Sequence, residues 1–213
     1  MESLTSHTDY GAVSLNESEV NPDPMVEFPL WLAAAEQAGL YEPNAMVVST
    51  VDPDGRPSSR TVLLKGLDGS GFEFVTNYAS RKGRALSVNP EVSLLFPWYS
   101  MQRQVIVYGT ATPTDAATSD SYFAGRPRGS RVAAVASDQS RPVSSRARIE
   151  EQVRQVEERY PDDTDIPRPE DWGAFRVIPR AIEFWQGRTS RLHDRLRFTA
   201  GEPGSWTLER LQP

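Results

Sequence analysis

The stretch that decides the fold runs from Ala45 to Thr76 and reads AMVVSTVDPDGRPSSRTVLLKGLDGSGFEFVT. It contains three short runs rich in β-branched and aromatic residues, separated by the turn-like segments DPDG (52–55) and LDGSG (67–71). Such runs between Gly- and Asp-rich connectors are typical of β-strands joined by turns. Two more runs follow, EVSLLFPW (91–98) and RQVIVYGTA (103–111). Five strands at this spacing predict an antiparallel barrel or sandwich.

Helical patterns flank and interrupt these strands. Helices are predicted over Pro24–Gly39, 114–126 and 144–160, where apolar residues recur at helical spacing or a capping residue precedes them. The chain then returns to β-rich runs, AFRVI, AIEFWQG, RLRFTA and SWTLERL. The prediction is a mostly-β, antiparallel barrel with peripheral helices, formed as a single domain by residues 25–213. Residues 1–24 are polar and acidic, and they are predicted to form a flexible N-terminal segment.

The composition excludes several kinds of site. The chain has 213 residues, no cysteine and two histidines, His7 and His193. Disulfides, thiol nucleophiles, iron–sulfur clusters and cysteine-ligated zinc are therefore excluded, and no metal site is expected. The sequence contains no run of roughly 18 apolar residues and no secretory pattern at its start. A cytoplasmic protein that does not contact membranes is expected.

The distribution of charge favours small anionic ligands. The net charge is −6, but residues 1–55 hold ten acids and no base, which leaves residues 56–213 with a net charge of +4. Of the 23 basic residues 21 are arginine, whose planar fork suits phosphate and carboxylate groups, although a preference for arginine codons would produce the same ratio. No long basic run is present, so nucleic acid is not an expected partner.

A first candidate anion site is the segment TNYASRKGRAL (76–86). Ser80 can cap a helix whose first turn carries Arg81 and Lys82. The free N–H groups of a helix start and two cations together suit a phosphate, whereas the helix dipole disfavours cations there on their own. The alternative is an ordinary solvated helix start.

Three polar residues interrupt the predicted strands. Arg60 and Lys65 lie five apart in SSRTVLLK, so they face opposite sides of an ideal strand and share a ligand only if the strand is twisted or the ligand has two parts. Gln104 opens another strand and could bond to a planar heterocycle. Each of the three could equally be an ordinary residue at a strand end or edge.

Two further segments concentrate polar chemistry. In YFAGRPRGS (122–130), Tyr122 and Arg126 share a helical face and Ser130 follows, which indicates a second phosphate clamp or a basic helix end. In EFWQGRTSRLHDR (183–195), three arginines surround a histidine, and they repel one another unless a bound anion or Asp194 compensates them. No nucleophile elbow, P-loop or G-x-G-x-x-G motif is present.

Taken together, these segments resemble the pyridoxine/pyridoxamine 5′-phosphate oxidases. The matching motifs, in order, are EPNAM (42–46), RTVLLK (60–65), TNYASRKG (76–83), RQV (103–105), YFAGRPRGS (122–130), SDQS (137–140), WGAFRV (172–177), EFWQGRTSRLHDR (183–195) and the ending ERLQP. Order and spacing hold from about Tyr10 to Pro213, which is nearly the whole chain.

The resemblance implies a flavin-binding split barrel that works as a homodimer, with FMN at the dimer interface. The implied reaction is oxidation of pyridoxine or pyridoxamine 5′-phosphate at C4′ by hydride transfer to the flavin. Oxygen then reoxidises the flavin with release of hydrogen peroxide, and the product is pyridoxal 5′-phosphate. The implied partners are thus this small substrate, oxygen and a second copy of the chain.

The resemblance also implies roles for individual residues. The FMN contacts would be Arg60, Lys65, Val75, Thr76, Arg81, Lys82, Gln104, Gln139, Ser140, Trp185 and Arg195. The substrate contacts would be Lys65, Tyr122, Arg126, Ser130, Arg191 and His193. The catalytic pair would be Arg191 and His193, placed over the pyridine ring at the reacting carbon.

One departure from the family pattern and two alternative functions remain open. The family often has Arg-x-x-Tyr near the N-terminus, closing over the substrate, and here the segment reads His7-Thr-Asp-Tyr10 without the arginine. The alternatives are a related flavin oxidase of the phenazine type and a protein that binds pyridoxal phosphate or flavin without turnover. Lys65 and the complete segment 122–130 favour a phosphorylated substrate, and Arg191 with His193 favours catalysis.

Overall fold

A computed structural model describes residues 9–162 and 164–213. The described part contains five α-helices and nine strands. The helices are α1 Pro24–Gln37, α2 Arg81–Val88, α3 Ala116–Ala124, α4 Arg128–Ala136 and α5 Arg146–Arg159. The strands are β1 Ala45–Val51, β2 Pro57–Leu63, β3 Gly66–Asp68, β4 Gly71–Asn77, β5 Glu91–Trp98, β6 Arg103–Pro113, β7 Trp172–Gln186, β8 Asp194–Ala200 and β9 Trp206–Arg210.

The strands form one antiparallel sheet organised around β7. The sheet order is β2-β1-β5-β6-β7-β4-β3, and β8 and β9 branch from it because β8 also pairs with β7. One edge of β7 pairs with β6 along its length. The other edge pairs with β4 over residues 172–177 and with β8 over residues 181–186, so the sheet divides within this strand. The predicted antiparallel, mostly-β architecture with peripheral helices is confirmed.

The main core lies beneath α1. Side chains of β1 and β5 alternate between buried and partly exposed, as expected for strands with one face on a core. Helix α1 begins after Asp23, whose side chain accepts a hydrogen bond from the backbone N–H of Met25, and it buries Phe28 and Trp31 against the sheet. The Phe28 ring meets Phe72 edge-on at a centroid distance of 5.0 Å.

A second, smaller core lies beneath α3, α4 and α5. It consists of Phe123, Val132, Ile166 and Trp172. Helix α4 differs from the sequence interpretation, which took residues 122–130 as a helix end followed by a proline turn. Pro127 directly precedes α4, and the burial of Val132 in the second core stabilises this short helix.

One further local expectation was wrong. AFRVI and AIEFWQG, which were expected to be two strands, form the single strand β7, because its pairing with β6 continues across a register shift near Gly109. The turn expected within 67–71 is present at residues 69–70, where it joins the short strand β3 to β4.

The start of the described chain contacts the sheet. Leu15 is buried in the main core, and its backbone N–H donates to the Asp194 carboxylate over 3.0 Å. The division into a flexible segment 1–24 and a domain 25–213 stays a prediction, and His7 lies outside the described residues. Within the described ranges, no helix is long and apolar enough to cross a membrane.

Candidate active site

Five of the expected FMN contacts lie together at the start of α2; we call Arg60, Thr76, Arg81, Lys82 and Gln139 the cation pocket. The Lys82 ammonium donates to the Thr76 hydroxyl and to the Gln139 side-chain oxygen, both over 3.0 Å. Ser80, as predicted, caps α2 by accepting from the Gly83 N–H over 3.2 Å. The pocket therefore sits beside a helix N-terminus, where backbone N–H groups favour an anion.

The charges of Arg60 and Lys82 are only partly balanced by a neighbouring acid, because Asp52 acts on Arg60 without forming an ion pair with it. Lys82 is 8% exposed, and burial together with the nearby Arg60 guanidinium lowers the pKa of its ammonium to about 8. Burial likewise lowers the pKa of Arg60, which donates only to oxygens of Val48, Thr50 and Ser58. Within residues 9–162 and 164–213 neither cation forms an ion pair. Two desolvated cations side by side are costly unless an anion joins them, so this donor set fits a phosphate.

Arg81 is held differently, by an acid that the sequence analysis missed. Its Nε and Nη2 atoms donate to Asp52 Oδ2 over 2.8 and 2.5 Å. Asp52 also accepts from the Ser58 hydroxyl over 3.1 Å. Arg81 and Asp52 are 29 residues apart, and Asp52 belongs to a turn motif, so the spacing carried no signal of this pairing.

Two cavities contain the expected substrate-phosphate residues, and one of them adjoins the cation pocket. A cavity of about 460 Å³ is lined in part by Lys65, Val75 and Tyr122. A second cavity of about 240 Å³ is lined in part by Arg126, Ser130 and Gln139. Gln139 thus lies in both the second cavity and the cation pocket. Ser140, the next residue, lines a separate groove of about 540 Å³ between α4 and α5.

Arg126 is a third cation that forms no ion pair among the described residues. Its Nη1 atom is buried and has no hydrogen-bond partner among the residues that the structure describes. The guanidinium lies over the Trp172 ring at 4.6 Å from the centroid, and Tyr122 stacks on the same ring at 6.2 Å. Burial lowers the pKa of Arg126 and raises that of Tyr122. Trp172, which the sequence analysis did not single out, therefore aligns two expected phosphate ligands.

The remaining expected residues lie at the other end of β7. Gln104 is opposite Trp185 in the β6–β7 register, and Trp185 is opposite Arg195 in the β7–β8 register. The His193 ring lies 4.7 Å from Trp185, centroid to centroid. His193 Nδ1 accepts the backbone N–H of Arg188 over 3.0 Å, so a neutral His193 ring carries its proton on Nε2.

The turn before His193 has an uncommon backbone. Ser190 and Arg191 both have positive φ, at 55° and 61°. Residues other than glycine rarely adopt a backbone with positive φ. Each such residue costs on the order of 1–3 kcal/mol, which contacts with the surrounding structure must offset. One such contact comes from Asp9, whose side chain accepts the Ser190 N–H over 3.1 Å. Such strain is commonly found at functional sites.

Acids balance three arginines around this turn. Arg188 pairs with Asp194 at 3.1 Å, and Arg210 pairs with the same carboxylate at 2.6 Å. Arg195 pairs with the buried Glu183 at 2.7 Å. Of the arginines in segment 183–195, Arg188 is thus balanced by Asp194, as the sequence suggested, and Arg195 is balanced by Glu183, which the sequence did not indicate.

The two groups of expected residues lie at opposite ends of β7. Thr76 of the cation pocket pairs with Gly173, which precedes Trp185 by twelve residues on that strand. Twelve residues of extended strand have a contour length of about 40 Å, which exceeds the length of a mononucleotide. The expected site residues of one chain thus form two separate groups along this strand.

The fold is that of a split β-barrel protein, and near one end of β7 it holds buried cations that form no ion pair among the described residues. Residues 32–160 match the family model "Pyridoxamine 5′-phosphate oxidase", and residues 172–213 match "Pyridoxine 5′-phosphate oxidase C-terminal dimerisation region". The chain belongs to the pyridoxine/pyridoxamine 5′-phosphate oxidase family, whose members are oxidoreductases.

Relatives that carry this name match over nearly their whole length. The chain is 52% identical to the pyridoxine/pyridoxamine 5′-phosphate oxidase of Streptomyces avermitilis, over 96% of this chain and 93% of the relative. It is 50% identical to that of Burkholderia cenocepacia, over 96% of each chain. Among solved structures, PhzG from Burkholderia lata 383, in complex with tetrahydrophenazine-1-carboxylic acid, aligns with a TM-score of 0.88 and 30% identity over 95% of this chain and 99% of that one.

Proposed function

We propose that this protein oxidises pyridoxine or pyridoxamine 5′-phosphate to pyridoxal 5′-phosphate with FMN and oxygen, forming hydrogen peroxide and, from the amine, ammonia. The observation that carries the proposal is two neighbouring groups of buried cations that form no ion pair among the described residues. Two desolvated cations, Arg60 and Lys82, lie on one side of Gln139, and the unpartnered Arg126 lines a cavity on its other side. A cofactor and a substrate that each carry a phosphate account for both groups.

The residues of the cation pocket fit the FMN phosphate. Arg60, Arg81 and Lys82 would bind it beside the N-terminus of α2, and Thr76 and Gln139 hold Lys82 in place. Val75, Ser140, Gln104, Trp185 and Arg195 would make the remaining cofactor contacts. When bound, FMN supplies the hydride acceptor of the reaction.

The substrate phosphate would bind to the second set. Lys65, Tyr122 and Ser130 line the two cavities with Arg126, whose buried Nη1 has a free donor for a phosphate oxygen. Arg191 and His193 would lie over the pyridine ring and orient C4′ toward the flavin, a contribution of position and orientation. Nε2 of a neutral His193 would be free to donate to the substrate, because Nδ1 already accepts a bond.

We further propose that the working form is a homodimer with shared sites. Support comes from the two separate groups of expected residues at opposite ends of β7 and from the match of residues 172–213 to a dimerisation region. In such a dimer Arg191, His193, Trp185 and Arg195 of one protomer would complete the site whose phosphates are held by its partner.

The direct test is anaerobic addition of pyridoxamine 5′-phosphate to the FMN-loaded protein while the visible flavin band is followed. We expect bleaching, then recovery of the band with formation of pyridoxal 5′-phosphate and hydrogen peroxide when air is admitted. Unphosphorylated pyridoxamine is the matched ligand control, and it should bleach the band only at far higher concentration. A band that stays oxidised in a loaded protein would contradict the proposal.

The same experiment separates the two alternatives. PhzG is a structural relative whose complex holds a phenazine carboxylic acid, so a reduced phenazine carboxylic acid serves as the competing substrate. Bleaching by that compound alone would indicate the phenazine-type oxidase. Tight binding of pyridoxal 5′-phosphate with no bleaching by any of these compounds would indicate a binding protein.

A further inference from the structure

Asp194 holds together three parts of the chain without belonging to either expected set of ligands. Its carboxylate accepts from the Leu15 N–H over 3.0 Å, from Arg188 Nη1 over 3.1 Å and from Arg210 Nη1 over 2.6 Å. Burial disfavours the charged form, but these three donors lower the pKa of Asp194, so the carboxylate is ionised at neutral pH.

The first arm of this network reaches His193. Asp194 fixes the Arg188 side chain, and the Arg188 backbone N–H donates to His193 Nδ1 over 3.0 Å. This bond sets the tautomer of the neutral ring and the direction of Nε2. Asp194 also directly follows His193 in the chain, at the start of β8.

The second arm reaches the start of the described chain. Arg210 also donates to both oxygens of Glu17, over 2.8 Å each, and to the Leu15 carbonyl over 2.9 Å. A few residues before this anchor, the Tyr10 ring meets His193 at 5.4 Å and Trp185 at 5.9 Å, centroid to centroid.

Gly187 leaves the space that Tyr10 occupies. A Cβ atom at position 187 would lie 3.0 Å from the Tyr10 ring, which is tighter than ordinary van der Waals contact, so the ring would have to shift by a few tenths of an ångström. The segment that carries Tyr10, the His193 ring and the turn before His193 thus pack together. Asp194 is the buried carboxylate that bonds to this segment and to Arg188 of the turn.

We propose that Asp194 is a positioning residue for the oxidation. It fixes the orientation of His193 through Arg188, and through Arg210 and Leu15 it anchors the segment that brings Tyr10 onto His193. The proposal rests on the proposed function for the role of His193. A misplacement of a reacting group by about 1 Å can cost on the order of 100-fold in rate, so such a residue affects turnover without touching substrate.

The test compares Asp194→Asn with Glu209→Gln in the full-length, FMN-loaded protein. Glu209 forms the neighbouring carboxylate–guanidinium pair of the same β8–β9 ladder, with Arg197 at 2.8 Å, and has no contact with the turn described here. We expect Asp194→Asn to lower kcat roughly 10- to 100-fold with a much smaller change in KM and unchanged FMN content. Glu209→Gln should leave both constants near wild type.

Two readouts do not depend on turnover. The ring ¹⁵N shifts of His193, measured at a pH where the ring is neutral and in a His7→Gln background, should indicate one tautomer in the parent and a mixture in Asp194→Asn. Limited proteolysis should cut the segment before Leu15 faster in Asp194→Asn than in Glu209→Gln. If these changes occur in a protein that does not oxidise pyridoxamine 5′-phosphate, the positioning holds and only the proposed function fails.

A second variant covers the case in which Asp194→Asn does not fold. Arg188→Met removes the arm to the turn but keeps the bonds of Asp194 to Leu15 and Arg210, and it keeps the Arg188 backbone N–H. It should also lower kcat and mix the His193 tautomers. Parent-like kcat and a single His193 tautomer in both folded variants would overturn the proposal, as would parent-like values in Arg188→Met alone when Asp194→Asn is unfolded.

Discussion

The arginines and lysine near the two ends of β7 differ in whether they form ion pairs with acidic side chains. At the end near α2, Arg60, Lys82 and Arg126 form no ion pair among the described residues, although all three are at least partly buried. At the other end, Arg188 and Arg195 each pair with a buried carboxylate, as does the nearby Arg210.

This difference distinguishes cations that are suited to bind an anionic ligand from cations that hold neighbouring parts of the chain in position. A cation that is desolvated without a partner destabilises the unloaded protein, so it has the most to gain from a ligand that supplies the missing negative charge. A cation that is already paired contributes rigidity and has less to gain from an anion. Arg81, which is paired with Asp52 but about half exposed, lies between these extremes.

The largest effect is expected at the catalytic end. Arg191→Ala should lower kcat by roughly 100-fold or more while FMN stays bound, because orientation of the substrate is lost and the cation pocket is intact. Stopped-flow reduction by pyridoxamine 5′-phosphate would measure it. Arg197→Ala, on the neighbouring strand, is the control, and a wild-type reduction rate in Arg191→Ala would remove Arg191 from the proposed mechanism.

At the end of β7 near α2, Lys82→Gln should weaken FMN binding without destabilising the FMN-free protein. FMN affinity should fall about 10- to 100-fold, the range expected when a charged hydrogen bond is lost. The FMN-free protein should unfold at an equal or higher temperature, because a desolvated ammonium has been removed. Arg84→Gln, on the exposed face of the same helix, is the matched control. A Lys82→Gln protein that is less stable without FMN would argue that Lys82 is structural.

The pKa of Lys82 predicts how binding depends on pH. In the unloaded protein this pKa is lowered to about 8, so below pH 8 the ammonium is charged and available to the phosphate. Above pH 8 binding must be accompanied by proton uptake, and FMN affinity should fall about 10-fold between pH 7 and pH 9. Fluorescence titrations at both pH values would measure this. The same comparison in Lys82→Gln should be nearly flat, and an equal slope in both proteins would assign the pH dependence to another group.

The smallest effect is expected where charge is already balanced. Glu183→Gln leaves Arg195, whose side chain is 31% exposed, without its carboxylate. Loss of about 1–2 kcal/mol of unfolding free energy is expected, less than for a fully buried pair because water screens part of the charge. Urea unfolding of the FMN-free protein, with Glu209→Gln as the exposed-pair control, measures it. Equal stability of the two variants would show that burial of Glu183 adds nothing.

Local features of the fold could be predicted because they depend on neighbouring residues. Strands β1 and β5 begin and end where the β-rich runs do, and Ser80 caps α2 as its position before a helical segment predicts. Helix α4 could not be predicted, because its stability depends on Val132 reaching Phe123 and Trp172 in the second core.

The candidate site divides in the same way. The sequence alone determined a mostly-β fold, the absence of cysteine chemistry, and the motifs that carry the cations, because these depend on composition and short spacings. Only the tertiary structure decided which cations have acidic partners, since Asp52 reaches Arg81 from 29 residues away and Glu17 reaches Arg210 from 193. It also decided that the expected ligands form two separate groups along β7, because sheet register is set by long-range pairing and burial.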